Sequence, residues 1–539
     1  MNPLFSGGNW FWRGLAFLAA AIVIFPLLII ILQWGTVGTG EQAIWQHLFD
    51  TKLDRLAVNT LLLVFGVGIG VVLLGVSLAW LTTLCNFPGR RFFEWAMMLP
   101  LAIPGYVMAF VFLGLMNFSG PLQTFLRKHL GPETRFPDVQ GAAGVIFILS
   151  LVLYPYVYML ARSAFLNQGR NLMDAGRILG LNRSQAFLKI ALPVARPAIV
   201  AGLALALMET LADFGAVSVF NYDTFTTAIY GAWYGLFNLT VAAQLASLLL
   251  LFVGVTLVLE KQSRSHARYT QDGERSNKSA YQLTGRSALA ASVYCSVVLL
   301  IAFLVPLGQL LVWMFEAGFG EQDGRFLGFL GHTLGLGAIA GFITVAIALL
   351  LAFVKRLPGS ALVQRWSNFS IRIATLGYAL PGSVLAVGIM LGFTYLDRSF
   401  GTLLGSTVLA LIIAYSCRFL AVAYAPIDSG LEQLKPSVID AARSLGAKPG
   451  RLLRQIYIPL LRPGLITAFT IVFVDVMKEM PATLIMRPFG WDTLAVRIYS
   501  MTAEGQWERA ALPAVTLIAI GLIPVYLLIR NARGSRQAS

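Results

Sequence analysis

"DAGRILGLNRSQAFLKIALPVARP" (Asp174–Pro197) and "DAARSLGAKPGRLLRQIYIPLLRP" (Asp440–Pro463) align without a gap. A polar, basic passage written twice is out of character in a chain of 539 residues that is 57% hydrophobic and only 12% charged. Soluble globular chains carry charge on about a quarter of their residues. With a mean hydropathy of +0.75, the class is a polytopic membrane protein, and the two basic passages must lie outside whatever the apolar remainder builds. Outward from them, the apolar residues fall into runs of about 20, the length a helix needs to cross ~30 Å of hydrocarbon.

Runs near 14–32, 57–81, 93–116 and 141–161 precede the first passage, and 197–219 and 240–259 follow it. Runs near 288–315, 332–354, 371–394 and 404–425 precede the second, with 464–486 and 510–529 after it. The first run carries no charge, is longer than the apolar core of a secretory signal and shows no small-residue cleavage site, so it is expected to be a retained span. Between the two sets, "EKQSRSHARYTQDGERSNKSAYQLTGR" (Glu260–Arg286) is almost free of apolar residues and reads as a solvated linker. The predicted fold is an all-α polytopic membrane protein of two tandem repeats: 1–259, a basic cytoplasmic linker 260–287, and 288–539. Six spans per repeat give both halves the same orientation, related by an axis along the membrane normal.

The formal net charge of +15 serves orientation. With both termini cytoplasmic, most Lys and Arg fall on the inner side: Arg90, Arg91, both repeated passages, the linker, the stretch Lys355–Arg372, and Arg530, Arg533 and Arg536. Attraction to anionic lipid accounts for the remainder, and nucleic acid is not an expected partner.

The repetition reaches beyond the basic passages. "NTLLL" at Asn59 resembles "HTLGL" at His332, and "LAIPGYVMA" around Pro104 resembles "YALPGSVLA" around Pro381. Pro88-Gly89 is matched by Pro358-Gly359, and "YDTFTTAIY" at Tyr222 parallels "WDTLAVRIY" at Trp491. Each basic passage reads as helix, turn and helix. In the first, Asn171–Leu179 is helical, Gly180 is the left-handed stop, and a second helix from about Arg183 ends ahead of Pro193. In the second, Gly446 is the stop, Pro449 opens the next helix and Pro459 closes it. Leu179, Leu181, Phe187 and Ile190 form an apolar face, which fits either an interfacial helix lying on the membrane or a docking element.

The residues Asp174, Ala175, Gly176, Gly180, Leu192 and Pro193, with Asp440, Ala441, Ala442, Gly446, Ile458 and Pro459, resemble the EAA motif of ABC importer permeases. The usual leading Glu is Asp in both copies, and Gly176 stands for the second Ala of the first. This resemblance implies a type I ABC importer (MetI-like) fold in the bacterial inner membrane, in which each EAA segment seats in a cytoplasmic ATPase subunit. Two segments imply two ATPase copies. The chain has no G-x-x-x-x-G-K-[ST] loop, so it is not expected to be an enzyme or to bind a cofactor itself; ATP and Mg belong to the partner. "GVGIG" (Gly66–Gly70) lies inside an apolar run, where close helix packing is its expected role.

The fifth spans offer candidates for a translocation path. "METLADFGA" (Met208–Ala216) aligns with "VDVMKEMPA" (Val474–Ala482), matching Glu209 to Asp475 and Asp213 to Glu479. Carboxylates four apart share one face of a helix. At about 1.5 Å per residue from Pro197, Glu209 is roughly 18 Å deep, near the midplane. Ionisable groups there are costly and usually face a bundle interior or a pathway. Four carboxylates suit a hard, oxygen-seeking cation; the alternative is that Lys478 neutralises one and the others cap or brace helices near a gate.

The stretches Asp475–Tyr499 and Asp213–Tyr230 are similar to fused permeases of ferric-iron import, which implies a periplasmic ferric-binding protein as a second partner. Thiamine importers and more distant sulfate, molybdate, putrescine and phosphonate permeases share the plan, and a secondary transporter needing no ATPase is the rival from another class. His47, His129, His266 and His332 have no ligand spacing, and Cys85, Cys295 and Cys417 form no CxxC, so packing is their expected role and no stable metal site is predicted. The helix expected in "GPLQTFLRKHLG" (Gly120–Gly131) is a candidate contact for the binding protein.

Overall fold

Long apolar runs become helices because a backbone in hydrocarbon has to satisfy its N–H and C=O groups within its own segment. The computed structural model describes residues 6–35, 38–131, 139–178, 180–265, 281–318, 324–432 and 434–537. Among them, 10 helices are long and apolar enough to cross a membrane, or 12 when each of two bent pairs is taken as one span. In the first half these include Ser6–Leu32, Leu53–Leu84, Ala142–Ile178, Leu192–Ala212 and Leu239–Ser265. Their counterparts in the second half include Phe326–Lys355, Val408–Glu432, Arg462–Lys478 and Trp507–Gln537.

The third and fifth spans are not the single rods predicted over 93–116, 371–394, 197–219 and 464–486. The third of the first half breaks into Arg90–Ala96, a 3-10 turn Leu99–Ala102 and a helix Gly105–Met116. Its counterpart breaks into Ala361–Ala374, Thr375–Ala379 and Gly382–Phe400, with a bend of 116°. Pro104 and Pro381 cause both breaks. Each is extended (ψ 146 and 140), holds its predecessor extended as well, and opens the next helix as its N-cap. The fifth spans stop at Ala212 and Lys478 and restart as the short helices Gly215–Val219 and Pro481–Met486.

Within each half, the second, fourth and fifth spans pack on one another. Gly66 lies so close to the fourth span that a Cβ there would stand 2.5 Å from Ile146, and a Cβ at Gly70 would collide with Ser150. The small residues of "GVGIG" therefore set helix approach, as expected. The leading helices are exchanged. Ser6–Leu32 packs on Phe326–Lys355, Ala361–Ala374 and Gly382–Phe400 of the second half. The segment Gly285–Ala317 in turn reaches the first half at Arg90–Ala96, Gly105–Met116 and Ala142–Ile178, while also packing on Trp507–Gln537. Aliphatic and aromatic side chains such as Phe65, Ile69 and Leu73 are exposed along the outer face, the surface that acyl chains cover.

Candidate functional site

The repeated basic passages depart from a plain helix, turn and helix. In the first copy the opening helix is the unbroken end of the fourth span, Ala142–Ile178, which carries Asp174, Ala175 and Gly176. Leu179 lies outside the described residues. In the second copy a separate helix, Pro436–Ser444, carries Asp440, Ala441 and Ala442. Gly180 and Gly446 have φ of +79 and +77, with open space where a Cβ would point. They are turn residues chosen for backbone conformation, not for close packing. Beyond Gly180, Asn182 and Gln185 exchange side-chain and backbone hydrogen bonds as a capping box. Beside Gly446, the Leu445 side chain is 88% exposed.

The second helix does not end ahead of Pro193. It runs through Arg183–Ala186, a π-helical turn Phe187–Ala191 and on into Leu192–Ala212. The same π-helical turn recurs at Leu453–Tyr457, again directly before the Leu/Ile-Pro pair, here Ile458-Pro459. A proline ring crowds the carbonyl four residues back and offers no N–H, and widening the ladder to i→i+5 relieves both faults. The Leu192 and Ile458 N–H groups accordingly donate to Phe187 and Leu453. Pro459 does come close to closing its helix, which stops at Leu460 before a 77° bend into Arg462–Lys478.

Both of these π-helical turns carry an aromatic that meets the C-terminal end of its own half's second span. Trp80 packs on Phe187 with ring centroids 4.3 Å apart, and Phe353, which occupies the corresponding repeat position, packs on Tyr457 at 5.6 Å. A further aromatic reaches each ring, from the linker in one case and from the opposite half in the other. Tyr281, at the end of the linker, lies 6.4 Å from Trp80, and Trp12 of the leading helix lies 5.5 Å from Phe353. Cys85–Asn86 pairs in parallel with Tyr281–Gln282, and Arg13 donates to the Pro358 carbonyl at 2.9 Å.

Deeper in the bundle, Asp213 and Glu479 do not continue the helices of Glu209 and Asp475. They sit at the breaks, with extended ψ of 126 and 107. Asp213 Oδ1 accepts the N–H groups of Ala216 and Val217 at 2.9 and 3.1 Å, and Glu479 Oε1 accepts that of Ala482 at 3.1 Å. Both carboxylates cap the short helix that follows. The shared-face geometry expected of Glu209 with Asp213, and of Asp475 with Glu479, is therefore lost. Each cap also lies against the Pro-Gly motif of its own half's third span: a Cβ at Gly105 would stand 3.2 Å from Asp213 Oδ2, and one at Gly382 would collide with Glu479 and Arg418.

Cations complete the cluster. Arg418, only 7% exposed, donates through Nη1 to Glu479 Oε1 at 3.0 Å and brings Nη2 within 3.9 Å of Glu209 Oε2. Lys478 Nζ donates to the Leu101 carbonyl of the first half at 3.0 Å and lies within electrostatic reach of Asp475. Among the described residues, no three of His, Cys, Asp and Glu converge as a group that could hold a metal.

A family model described as "Binding-protein-dependent transport system inner membrane component" matches residues 71–260 and again 345–533. The chain belongs to this family. It is an ABC importer permease with two copies of the permease unit in one polypeptide. It is similar to the Fe(3+)-transport system permease protein FbpB 2 of Haemophilus influenzae, with 29% identity over 532 residues, 97% of this chain and 98% of the relative. The sulfate transport system permease protein CysW of Escherichia coli is 29% identical over 214 residues, 39% of this chain and 71% of that one. A putative 2-aminoethylphosphonate transport system permease protein, PhnV, of Salmonella paratyphi A is 26% identical over 251 residues, 45% of this chain and 94% of its own.

The matched motifs of the permease meet in space. In the first half, Asn59 Nδ2 donates to the Asp223 carbonyl at 2.8 Å and the Tyr222 hydroxyl donates to the Asn59 carbonyl at 3.0 Å. In the second, His332 Nδ1 lies 3.2 Å from the Asp492 carbonyl and its ring stacks on Trp491 at 4.6 Å. His332 thus has a packing role that its isolated position in the sequence did not specify, while His266 lies outside the described residues. The three cysteines are buried.

Arg418 is the functional residue that sequence reasoning missed. It lies in the middle of "AYSCRFLAV", inside an otherwise uncharged span, and a lone Arg at that depth is itself the signal. The aromatic contacts of Trp80 and Phe353 were also unread, since an aromatic at the end of a span is ordinary in composition. Truncating one should weaken the link between π-helical turn and span. Trp80→Ala is expected to lower transport several-fold while ATP hydrolysis by the assembled transporter falls less, as measured side by side in proteoliposomes; equal losses in both would point to simple misfolding.

Proposed function

We propose that this permease forms the membrane path of a ferric-iron importer, taking iron from a periplasmic ferric-binding protein to the cytoplasm by alternating access. Two copies of a cytoplasmic ATPase bind the segments Asp174–Pro193 and Asp440–Pro459, and ATP with Mg acts on those subunits. Both chain termini lie in the cytoplasm. ATP binding closes the ATPase pair, the EAA segments carry the motion through the π-helical turns into the fifth spans, and the path opens to the loaded binding protein. Hydrolysis resets it.

The observation that carries this reading is the midplane charge. Glu209, Asp213, Asp475 and Glu479 outnumber the cations beside them: Arg418 pairs with Glu209 and Glu479, and Lys478, within electrostatic reach of Asp475, also donates to a backbone carbonyl. An excess of carboxylates in low dielectric favours a cation in the path and opposes an anion. Glu209, with 27% of its side chain exposed, is the carboxylate of the ion-paired cluster left accessible. Its charge is expected to matter more than that of Asp213, whose work is capping. Glu209→Gln should cut iron uptake by tenfold or more, whereas Asp213→Asn, which keeps the acceptor, should transport near the wild-type rate.

A second reading rests on the sulfate and phosphonate relatives, with Arg418 and Lys478 turning toward an anion. Uptake of radiolabelled ferric iron, sulfate and thiamine in a strain lacking the permease separates them. Loss of iron uptake alone supports the ferric reading; loss of sulfate or thiamine uptake with iron unchanged overturns it.

A further inference from the structure

We propose that Arg418 is a movable counter-ion that locks the two halves together at the membrane midplane when no cargo is present, and that a cargo cation enters by taking the Glu209 carboxylate from it. The second clause rests on the ferric reading; the first does not.

The geometry divides the two bonds of Arg418 into a fixed one and a loose one. Glu479 belongs to the same half as Arg418, holds it at 3.0 Å and is itself anchored as the cap of Pro481–Met486. Glu209 belongs to the other half, stands 3.9 Å away and is more exposed than either partner. A contact at 3.9 Å is an ion pair without a hydrogen bond, the weaker kind. When the halves rock apart, the bond to Glu209 is therefore the one that opens, while Glu479 keeps the guanidinium from being stranded. Arg418 Nε has no hydrogen-bond partner and is fully enclosed, so the cation depends on its carboxylates for compensation. Tyr156 of the first half and Tyr378 of the second both lie within electrostatic reach of Glu209 and Asp475.

A guanidinium and a hard polyvalent cation compete for the same oxygen atoms, but the metal carries the greater charge density. Arrival of such an ion would convert the Glu209 carboxylate from one half's tether into the cargo's ligand, which couples release of the lock to the presence of cargo. An anion would not do so, since Glu209 would repel it.

The experiment uses the full chain with its ATPase and binding protein in proteoliposomes. ATP hydrolysis is measured without cargo for wild type, Glu209→Gln, Arg418→Gln and the double variant, together with uptake of radiolabelled ferric iron supplied on the binding protein. The lock predicts that each single substitution raises cargo-free hydrolysis several-fold, that the double variant is no higher than the singles, and that Arg418→Lys, which keeps charge without the planar fork, is intermediate. Glu209→Gln leaves Arg418 paired with Glu479, so it tests the lock even where Arg418→Gln does not assemble. Unchanged cargo-free hydrolysis in Glu209→Gln, or additive effects in the double variant, overturns the lock. A transporter that shows the hydrolysis pattern but carries no ferric iron refutes the cargo reading and leaves the lock; one that carries iron with flat hydrolysis does the reverse.

Discussion

Gly382→Ala is expected to be the most damaging single-methyl substitution in the path. The added Cβ would collide with both Arg418 Nη1 and Glu479 Oε1, the two atoms of the buried 3.0 Å ion pair. Either side-chain end relieves the clash only by giving up part of its hold on the other. Arg418 is enclosed at 7% exposure and Glu479 is tied to the Ala482 N–H. Removing one partner of a buried pair typically costs about 3–5 kcal/mol, and prising the two apart costs part of that, against the 5–15 kcal/mol that holds a domain together. The variant should accumulate poorly in membranes and unfold at a visibly lower temperature in detergent. Gly105→Ala is the internal control, because its Cβ would meet Asp213 Oδ2 at 3.2 Å, a distance that a shift of a few tenths of an ångström relieves. Near-normal stability of Gly382→Ala would show that the pair yields freely and that the Pro-Gly motif is there only for the helix break.

That comparison also shows where sequence reading stops. The apolar runs and the two-repeat plan were legible because hydropathy and repetition act over tens of residues. Gly180 and Gly446 were legible because a left-handed turn has few chemical solutions, and both have the expected positive φ. The breaks at Asp213 and Glu479 were not legible. A carboxylate four residues after another reads as the next position on a helix face, and only the following backbone, where Ala216, Val217 and Ala482 donate to it, reveals a cap. Pro193 misled in the opposite sense. Its sequence signal is a stop, but the π-helical turn before it lets the helix pass through.

The halves repeat in fold more faithfully than in charge. Lys478 corresponds to Ala212, and Arg418 likewise comes from the second half, so both cations of the central cluster are contributed by one repeat. Each reaches across: Lys478 to Leu101, Arg418 toward Glu209. One half supplies both cations, and the other supplies the Leu101 carbonyl and the Glu209 carboxylate toward which they reach. Such asymmetry is available to a fused chain, in which each repeat is free to diverge while its partner is fixed by covalent linkage.

Gly446→Val is expected to abolish coupling without preventing insertion. A β-branched residue at φ +77 is strained whatever the space around it, by more than the roughly 1–2 kcal/mol that an ordinary L-residue loses in the left-handed region. The turn is exposed and nothing lies within 4 Å of the new Cβ, so the strain is relieved locally by re-aiming the segment, and the membrane spans remain folded. What moves is the adjacent Leu445, which is 88% exposed and is the apolar tip available to an ATPase cleft. Burying a leucine side chain at an interface stabilises it by about 1.5–3 kcal/mol, so withdrawing that tip should weaken ATPase attachment on this side by roughly tenfold or more. Gly180→Val should act in the same way through the first segment, where φ is +79. Membrane level and thermal stability should match wild type, while cargo uptake falls to a tenth or less; normal uptake in both variants would remove these turns from the coupling path.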